Sequence, residues 1–386
     1  MKHVIIGNGV AGTEAALAIR KSDPGASITL VSESPHLYYY RPRVIEYLAG
    51  EIAPEKLYIY KPDFYEKNGI EIVLGTRVSD ILPAEKAVLD DRGVRRSWDR
   101  LLVATGARAF VPPIPGAALE GVFSLRGIRD TERILEYAKG VDRVAVIGGG
   151  LLGLEAAHSL SRLGKSVTVI ELFEWLLPRQ LDETGGRILR GMLESKGLSF
   201  VLGDNVSSIQ GEGRVEKLVL KSGNEIHAGL VLVSAGIRCN IELAQRAGIA
   251  TGNGIIVDDR LRTSIPDIYA AGDPVEHRGR VYGIWPVARE QGRVAGLNMA
   301  GVDTAFEGAV MANVLKITGI DLFSAGDFNN QSCDVLVSRG EGIYRKLCVD
   351  LSNPLGAIVL GDAEAVKLAQ KVIEGKVPAE EFRKMF

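Results

Sequence analysis

The apolar positions of this chain come mostly in short solid runs. Val4-Ile5-Ile6, Leu101-Leu102-Val103-Ala104, Val144-Ala145-Val146-Ile147 and Leu230-Val231-Leu232-Val233 are continuously apolar. Runs of this length predict buried strands. The first and third open into the same glycine pattern, Gly7-Asn8-Gly9-Val10-Ala11-Gly12 and Gly148-Gly149-Gly150-Leu151-Leu152-Gly153, each followed by a helical stretch. A second strand then ends in an acid, Glu33 after residues 28–32 and Glu171 after residues 167–170. The repeat continues: Gly69-Ile70-Glu71-Ile72-Val73-Leu74-Gly75 is echoed by Gly197-Leu198-Ser199-Phe200-Val201-Leu202-Gly203. The returning runs close on Ala104-Thr105-Gly106 and Ser234-Ala235-Gly236. The chain thus reads as two related α/β units, each a βαβ entry, an antiparallel excursion and a returning strand. Val111-Pro112-Pro113-Ile114-Pro115-Gly116 is the expected linker, since its prolines continue neither a helix nor a central strand.

Beyond residue 236 the pattern changes. Thr263-Ser264-Ile265-Pro266-Asp267-Ile268-Tyr269-Ala270-Ala271-Gly272-Asp273 reads as a turn, a short buried strand and a Gly-Asp ending, and a helix follows over residues 287–299. From about residue 304, strand-like runs at 334–338, 344–350 and 357–360 precede a last helix from Ala363, a small α+β domain. At 386 residues the chain is too long for one ordinary core.

The glycine pattern carries the chemistry. Gly7 and Gly148 permit a tight turn, Gly9 and Gly150 let a pyrophosphate approach the backbone, and Gly12 and Gly153 let helix and strand pack closely. The phosphates then meet free N–H groups and the positive end of the helix dipole. Glu33, with Ser34 beside it, and Glu171 stand where a carboxylate accepts from ribose hydroxyls. Glu171 repels a 2′-phosphate, and no cation follows it before Arg179, so the second site is expected to take NADH rather than NADPH. Two such sites imply two dinucleotides that exchange electrons.

The remaining features narrow the setting. With 46 basic and 48 acidic residues and no basic block, the chain has no electrostatic footprint for nucleic acid. No apolar run nears the ~20 residues of a membrane span. The N-terminus enters a strand at once, and Cys239, Cys333 and Cys348 form neither C-x-x-C nor a ligand-like spacing. A cytoplasmic protein without structural zinc or an iron–sulfur cluster is expected.

The order G-x-G-x-x-G, Ala104-Thr105-Gly106, a second G-x-G-x-x-G and Thr263 to Asp273 resembles the FAD-dependent pyridine nucleotide-disulfide oxidoreductases over essentially the whole chain. The resemblance implies an α/β fold of two interleaved Rossmann-like dinucleotide-binding domains, the two-dinucleotide-binding flavoprotein fold, plus the small C-terminal α+β domain. It assigns residues 1–110 and 237–303 to FAD, 111–236 to NAD(H) and 304–386 to the C-terminal domain. It further implies that Asp273, after Gly272, bonds the ribityl chain of FAD, that Thr105 and Gly106 turn beside it, and that Gly236 holds the corresponding turn of the second unit. The helix behind Trp285, Pro286 and Val287 would point its N-terminus at the flavin pyrimidine, favouring negative charge there. Glu155 would reach the flavin–nicotinamide region, with Arg43 as its expected partner, and Lys316 would return towards the flavin from the third domain.

Within this family the thiol branches place one or two cysteines after the first βαβ unit. Here Pro35 through Leu48 hold none, and Tyr39-Tyr40-Arg41-Pro42-Arg43 stands instead. That string is similar to the NADH:rubredoxin oxidoreductases and to the flavin portion of assimilatory nitrite reductase large subunits. It is less like the ferredoxin reductases of oxygenase systems, which follow R-P with a lysine where Glu46 stands here. Arg41 and Arg43 would place positive charge near the isoalloxazine. The expected activity is electron transfer from NADH through FAD to a protein carrier, rubredoxin first, ferredoxin next. The alternatives are a reductase component for nitrite reductase, an NADH oxidase, or a non-catalytic redox sensor. A monomer or homodimer is expected.

Overall fold

Two five-stranded parallel sheets organise the chain; they share the order of four strands, while the fifth, beside the returning strand, comes last along the sequence in one and first in the other. The computed structural model describes residues 1–315, 317, 319–330, 332–350 and 353–386. Its contacts divide them into two units: Met1–Val44, Ala53–Arg108 and Ile237–Ala309 form the first, and Ile45–Ile52, Ala109–Gly236 and Val310–Phe386 the second.

In the first unit the sheet runs Ile268–Ala270, Arg100–Val103, Lys2–Ile6, Ser27–Val31, Ile70–Val73, with every neighbouring pair parallel. The central strand Lys2–Ile6 is buried from His3 onward, which is why it reads as a solid apolar run. Helix Val10–Ser22 covers the sheet, and helix Trp285–Met299 lies against that helix. Small residues make this close approach possible: a Cβ on Gly292 would stand 2.3 Å from Ala11 O, and one on Gly296 2.5 Å from Ala15 O. A larger residue at either place would force the helices apart. The excursion Val78–Leu82, Ala87–Asp90, Arg95–Ser97 is a three-stranded antiparallel sheet.

The second unit repeats the plan. Its sheet runs Ser199–Leu202, Ser166–Glu171, Arg143–Ile147, Leu230–Val233, Val122–Ser124, all parallel. The excursion Val206–Gln210, Lys217–Leu220, Glu225–His227 is again antiparallel. The C-terminal part is a five-stranded antiparallel sheet in the order Ala312–Val314, Leu322–Gly326, Asn353–Leu360, Ile343–Asp350, Asp334–Gly340. Phe323, Leu347 and Val359 on one face pack against Ala365, Ala369 and Phe382 of helices Ala363–Ile373 and Ala379–Arg383. From the same sheet Tyr344 Oη donates to Asp182 Oδ2 at 2.6 Å and Lys346 Nζ to the same oxygen at 2.9 Å. Asp182 also caps helix Glu183–Glu194 by accepting from Gly185 N at 3.0 Å.

Some boundaries move. The three C-terminal strands run longer than their apolar runs, because paired polar residues extend the ladders, and the helix expected from 287 begins at Trp285. Cys333 and Cys348, fifteen residues apart, are joined as a disulfide at the start of a hairpin, a pairing that no short motif signals. No helix among the described residues is long and apolar enough to cross a membrane.

Candidate functional site

In both sheets the predicted binding residues gather at the carboxyl ends of adjacent strands, where open α/β sheets bind ligands. In the first unit Gly7 follows Ile6, Thr105-Gly106 follows Val103-Ala104, and Gly272-Asp273 follows the strand Ile268–Ala270. Gly7 has φ 109°, donates to Val31 O at 2.8 Å, and leaves a would-be Cβ only 2.2 Å from Ala104 O. A Cβ on Gly12 would sit 1.9 Å from Gly7 O, whereas one on Gly9 meets nothing within 4 Å. Gly9 is also the N-cap of helix Val10–Ser22, with no side-chain cap among the described residues. Glycine is therefore required twice for packing, and once it opens a cradle before uncapped helix N–H groups.

The neighbouring turns are locked in place. Thr105 Oγ1 donates to Asn240 O at 2.8 Å, and Asn240 Nδ2 returns a bond to Thr105 O at 2.9 Å. Gly272, at φ 90°, donates to Gln291 Oε1 at 2.9 Å. The Nε2 of Gln291 is buried with no hydrogen-bond partner among the described residues, a donor left beside Gly272 for a polar ligand. Ser32 Oγ donates to Asn8 Oδ1 at 2.8 Å, and Asn8 Nδ2 donates to His36 O at 2.7 Å. The strand ends at Val31, so Glu33 lies two residues beyond it, exposed, and Ser34 Oγ accepts from His36 N at 3.2 Å.

Arg41–Arg43 is a single 3-10 turn. The Arg41 guanidinium lies 6.0 Å from the Tyr39 ring centroid, and Arg43 Nη1 is 3.4 Å from Lys56 O. Trp285 meets Tyr40 edge-to-face at 4.9 Å, with the Arg289 guanidinium 5.8 Å from its ring. Pro286 is exposed and Val287 is buried in the first turn of their helix.

The second unit has the same cradle with a different acid. Gly148 has φ 111° and a would-be Cβ 2.4 Å from Ser234 O, and that of Gly153 would stand 2.1 Å from Gly148 O. Gly150 again meets nothing within 4 Å and caps helix Leu151–Arg162 without a side chain. Glu171 is the last residue of its strand, in register just past Ile147↔Ile170. Its first-unit counterpart by register is Ser32, not Glu33, because Ile6 pairs Val31. Glu171 accepts from Gly149 N at 2.6 Å and from Phe173 N at 3.1 Å. Both carboxylate oxygens are thereby oriented, each with further acceptor capacity. Leu172 and Phe173 stand exposed beside it, Gly236 turns at φ 102°, and Glu155 is buried on helix Leu151–Arg162.

A pyridine nucleotide-disulphide oxidoreductase model matches residues 1–292. The chain belongs to that family. Residues 312–377 match the rubredoxin NAD+ reductase C-terminal domain. Over 376 residues the chain is 32% identical to an NADH-rubredoxin oxidoreductase of Clostridium acetobutylicum, covering 97% of this chain and 94% of that one. The crystal structure of the NADH:rubredoxin oxidoreductase from that organism superposes with a TM-score of 0.83 at 31% identity, covering 98% and 96% of the two chains. A nitrite reductase [NAD(P)H] of Bacillus subtilis is 39% identical over 367 residues, 93% of this chain but 45% of that protein. The chain spans about half the length of the nitrite and nitrate reductase relatives it matches.

Asn240, Gln291 and the Gly292/Gly296 contact escaped sequence reasoning. Each acts through a partner far away in sequence, and only the two glycines, four apart on one helix face, leave a spacing that could have signalled the contact. Lys316 lies outside the described residues.

Proposed function

We propose that the first cradle holds FAD, the second NADH, and that electrons from NADH leave the flavin one at a time for a small iron–sulfur carrier, with rubredoxin the first choice and ferredoxin the second. The paired open cradles at Gly9 and Gly150 carry this reading. When bound, FAD accepts a hydride and releases single electrons. The chain's own residues bind and orient. The helix N-termini behind Gly9 and Gly150 take the pyrophosphates. Glu33, Gln291 Nε2 and Asp273 hold the ribose and ribityl hydroxyls of FAD, and Glu171 holds the NADH ribose. Arg41 and Arg43 supply positive charge to the reduced flavin, Glu155 stands at the flavin–nicotinamide region, and the helix starting at Trp285 adds its dipole. No cysteine precedes Cys239, so no protein thiol is available on the loop where the thiol branches carry theirs. The C-terminal match to rubredoxin NAD+ reductases supports rubredoxin over other acceptors.

The test is rapid mixing of NADH-reduced protein with rubredoxin, ferredoxin and oxygen in parallel. The reading expects rubredoxin to reoxidise the flavin fastest. Oxygen matching it would make the protein an oxidase instead. A second reading, a flavin module serving a separate nitrite-reducing component, is favoured by the 39% identity to the Bacillus subtilis nitrite reductase. It predicts fast reoxidation only by such a component.

A further inference from the structure

Electron delivery to a one-electron carrier leaves a proton behind. Each NADH transfers a hydride, which is two electrons and one proton; two carriers remove the electrons alone, so one proton per NADH must reach solvent. Helix Leu151–Arg162 carries a polar stripe suited to this. Glu155, His158, Ser159 and Arg162 stand at i, i+3, i+4 and i+7, which share one helix face. Glu155 is 9% exposed. Ser159 Oγ lies 2.9 Å from Glu155 O and 3.4 Å from Ile45 O, fixing the next turn. From His158 onward the stripe borders a cleft of about 420 Å³ in the second unit, shared with Glu46, Glu51 and Asp321.

We propose that Glu155 and His158 form the proton exit of this reductase. Glu155 takes the proton at the dinucleotide end, His158 receives it directly or through one water, and the imidazole releases it into the cleft. This rests on the placement of Glu155 at the flavin–nicotinamide region. His158 acts through Glu155 and does not touch the reacting atoms. Burial first, then the nearby Lys196 and Arg162, hold the imidazole below its ordinary value, while Glu51 opposes them; the shift favours the neutral ring, the form that accepts a proton. Glu46 and Asp321 face the same cleft, and Arg162 is ion-paired to Glu51 at its mouth.

The experiment uses holoenzyme reduced anaerobically by one equivalent of NADH and mixed with ferricyanide, an acceptor of electrons alone, in weak buffer with a pH-indicator dye. Wild-type protein should release its proton in step with flavin reoxidation. His158→Gln should release it at least about tenfold more slowly, with a raised solvent isotope effect, and imidazole should restore the rate. A turnover-free readout is the NMR titration of the His158 ring in the resting holoenzyme. Glu155→Gln should move it, since groups that share a proton titrate together. If Glu155→Gln slows reoxidation while His158→Gln keeps wild-type proton release, the relay is refuted and the placement of Glu155 stands. If Glu155→Gln alters neither hydride transfer, reoxidation nor the His158 titration, that placement fails and the relay with it.

Discussion

The two cradle glycines of the second unit should fail in opposite ways when given a single methyl group. Gly150 has φ −75° and ψ 173°, a conformation open to any residue, and its would-be Cβ has nothing within 4 Å. Gly150→Ala should therefore leave the melting temperature of the NADH-free protein almost unchanged, within about 1 kcal/mol at this capping position. The methyl group instead occupies the space through which a pyrophosphate approaches the helix N–H groups. NADH affinity should fall roughly ten- to a hundredfold, about 1.4–2.8 kcal/mol. In Gly153→Ala the new carbon would stand 2.1 Å from Gly148 O, far inside any real contact. The strand–turn–helix unit would have to spread, at a cost of about 3 kcal/mol or more. Thermal melts and anaerobic NADH titrations separate the two. Gly9→Ala, equally open at φ −69°, should weaken FAD and leave the NADH constant of FAD-saturated protein alone. Wild-type NADH binding by Gly150→Ala, or loss of NADH rather than FAD in Gly9→Ala, would refute this reasoning.

Other outcomes follow from single contacts. Glu171→Arg should lower kcat/KM for NADH and raise it for NADPH, because it removes a ribose acceptor and the 2′-phosphate repulsion together; an unchanged ratio would show that Glu171 does not read the ribose. His3 is 1% exposed with neither ring nitrogen hydrogen-bonded among the described residues, and burial first, then the N-terminal amine and Arg100, lowers its pKa from 6.5 to about 4. Between those values the unfolded chain binds the proton that the folded one refuses. Stability is thus whole above about pH 6.5 and declines by up to about 3 kcal/mol as pH falls towards 4. Urea melts of His3→Val should lose that part of the acid slope. Reducing Cys333–Cys348, or Cys333→Ser, should lower the stability of the C-terminal sheet by about 3 kcal/mol for a loop of this length, read as a shift in the denaturant midpoint.

The parts legible in the sequence were those written in consecutive residues. Gly7 and Gly12 announce themselves because the turn they make needs both within six positions, and solid apolar runs mark the buried strands. Glu33 shows the limit: counting from the glycines reaches this acid, while the register that makes Ser32 the counterpart of Glu171 exists only once the strands pair. The Thr105–Asn240 exchange spans 135 residues and the disulfide spans a hairpin, so neither leaves a spacing to read. Gln291 looks like any polar residue on a helix until the sheet order delivers Gly272 to it.

The central claim is that electrons enter as a pair and leave singly to a protein carrier. An anaerobic single-turnover titration tests it most directly, with protein reduced by one equivalent of NADH and rubredoxin added stepwise while both spectra are followed. Two rubredoxins should be reduced for each NADH consumed, with FAD fully reoxidised at the end point. Reduced FAD that persists beside excess oxidised rubredoxin would contradict it.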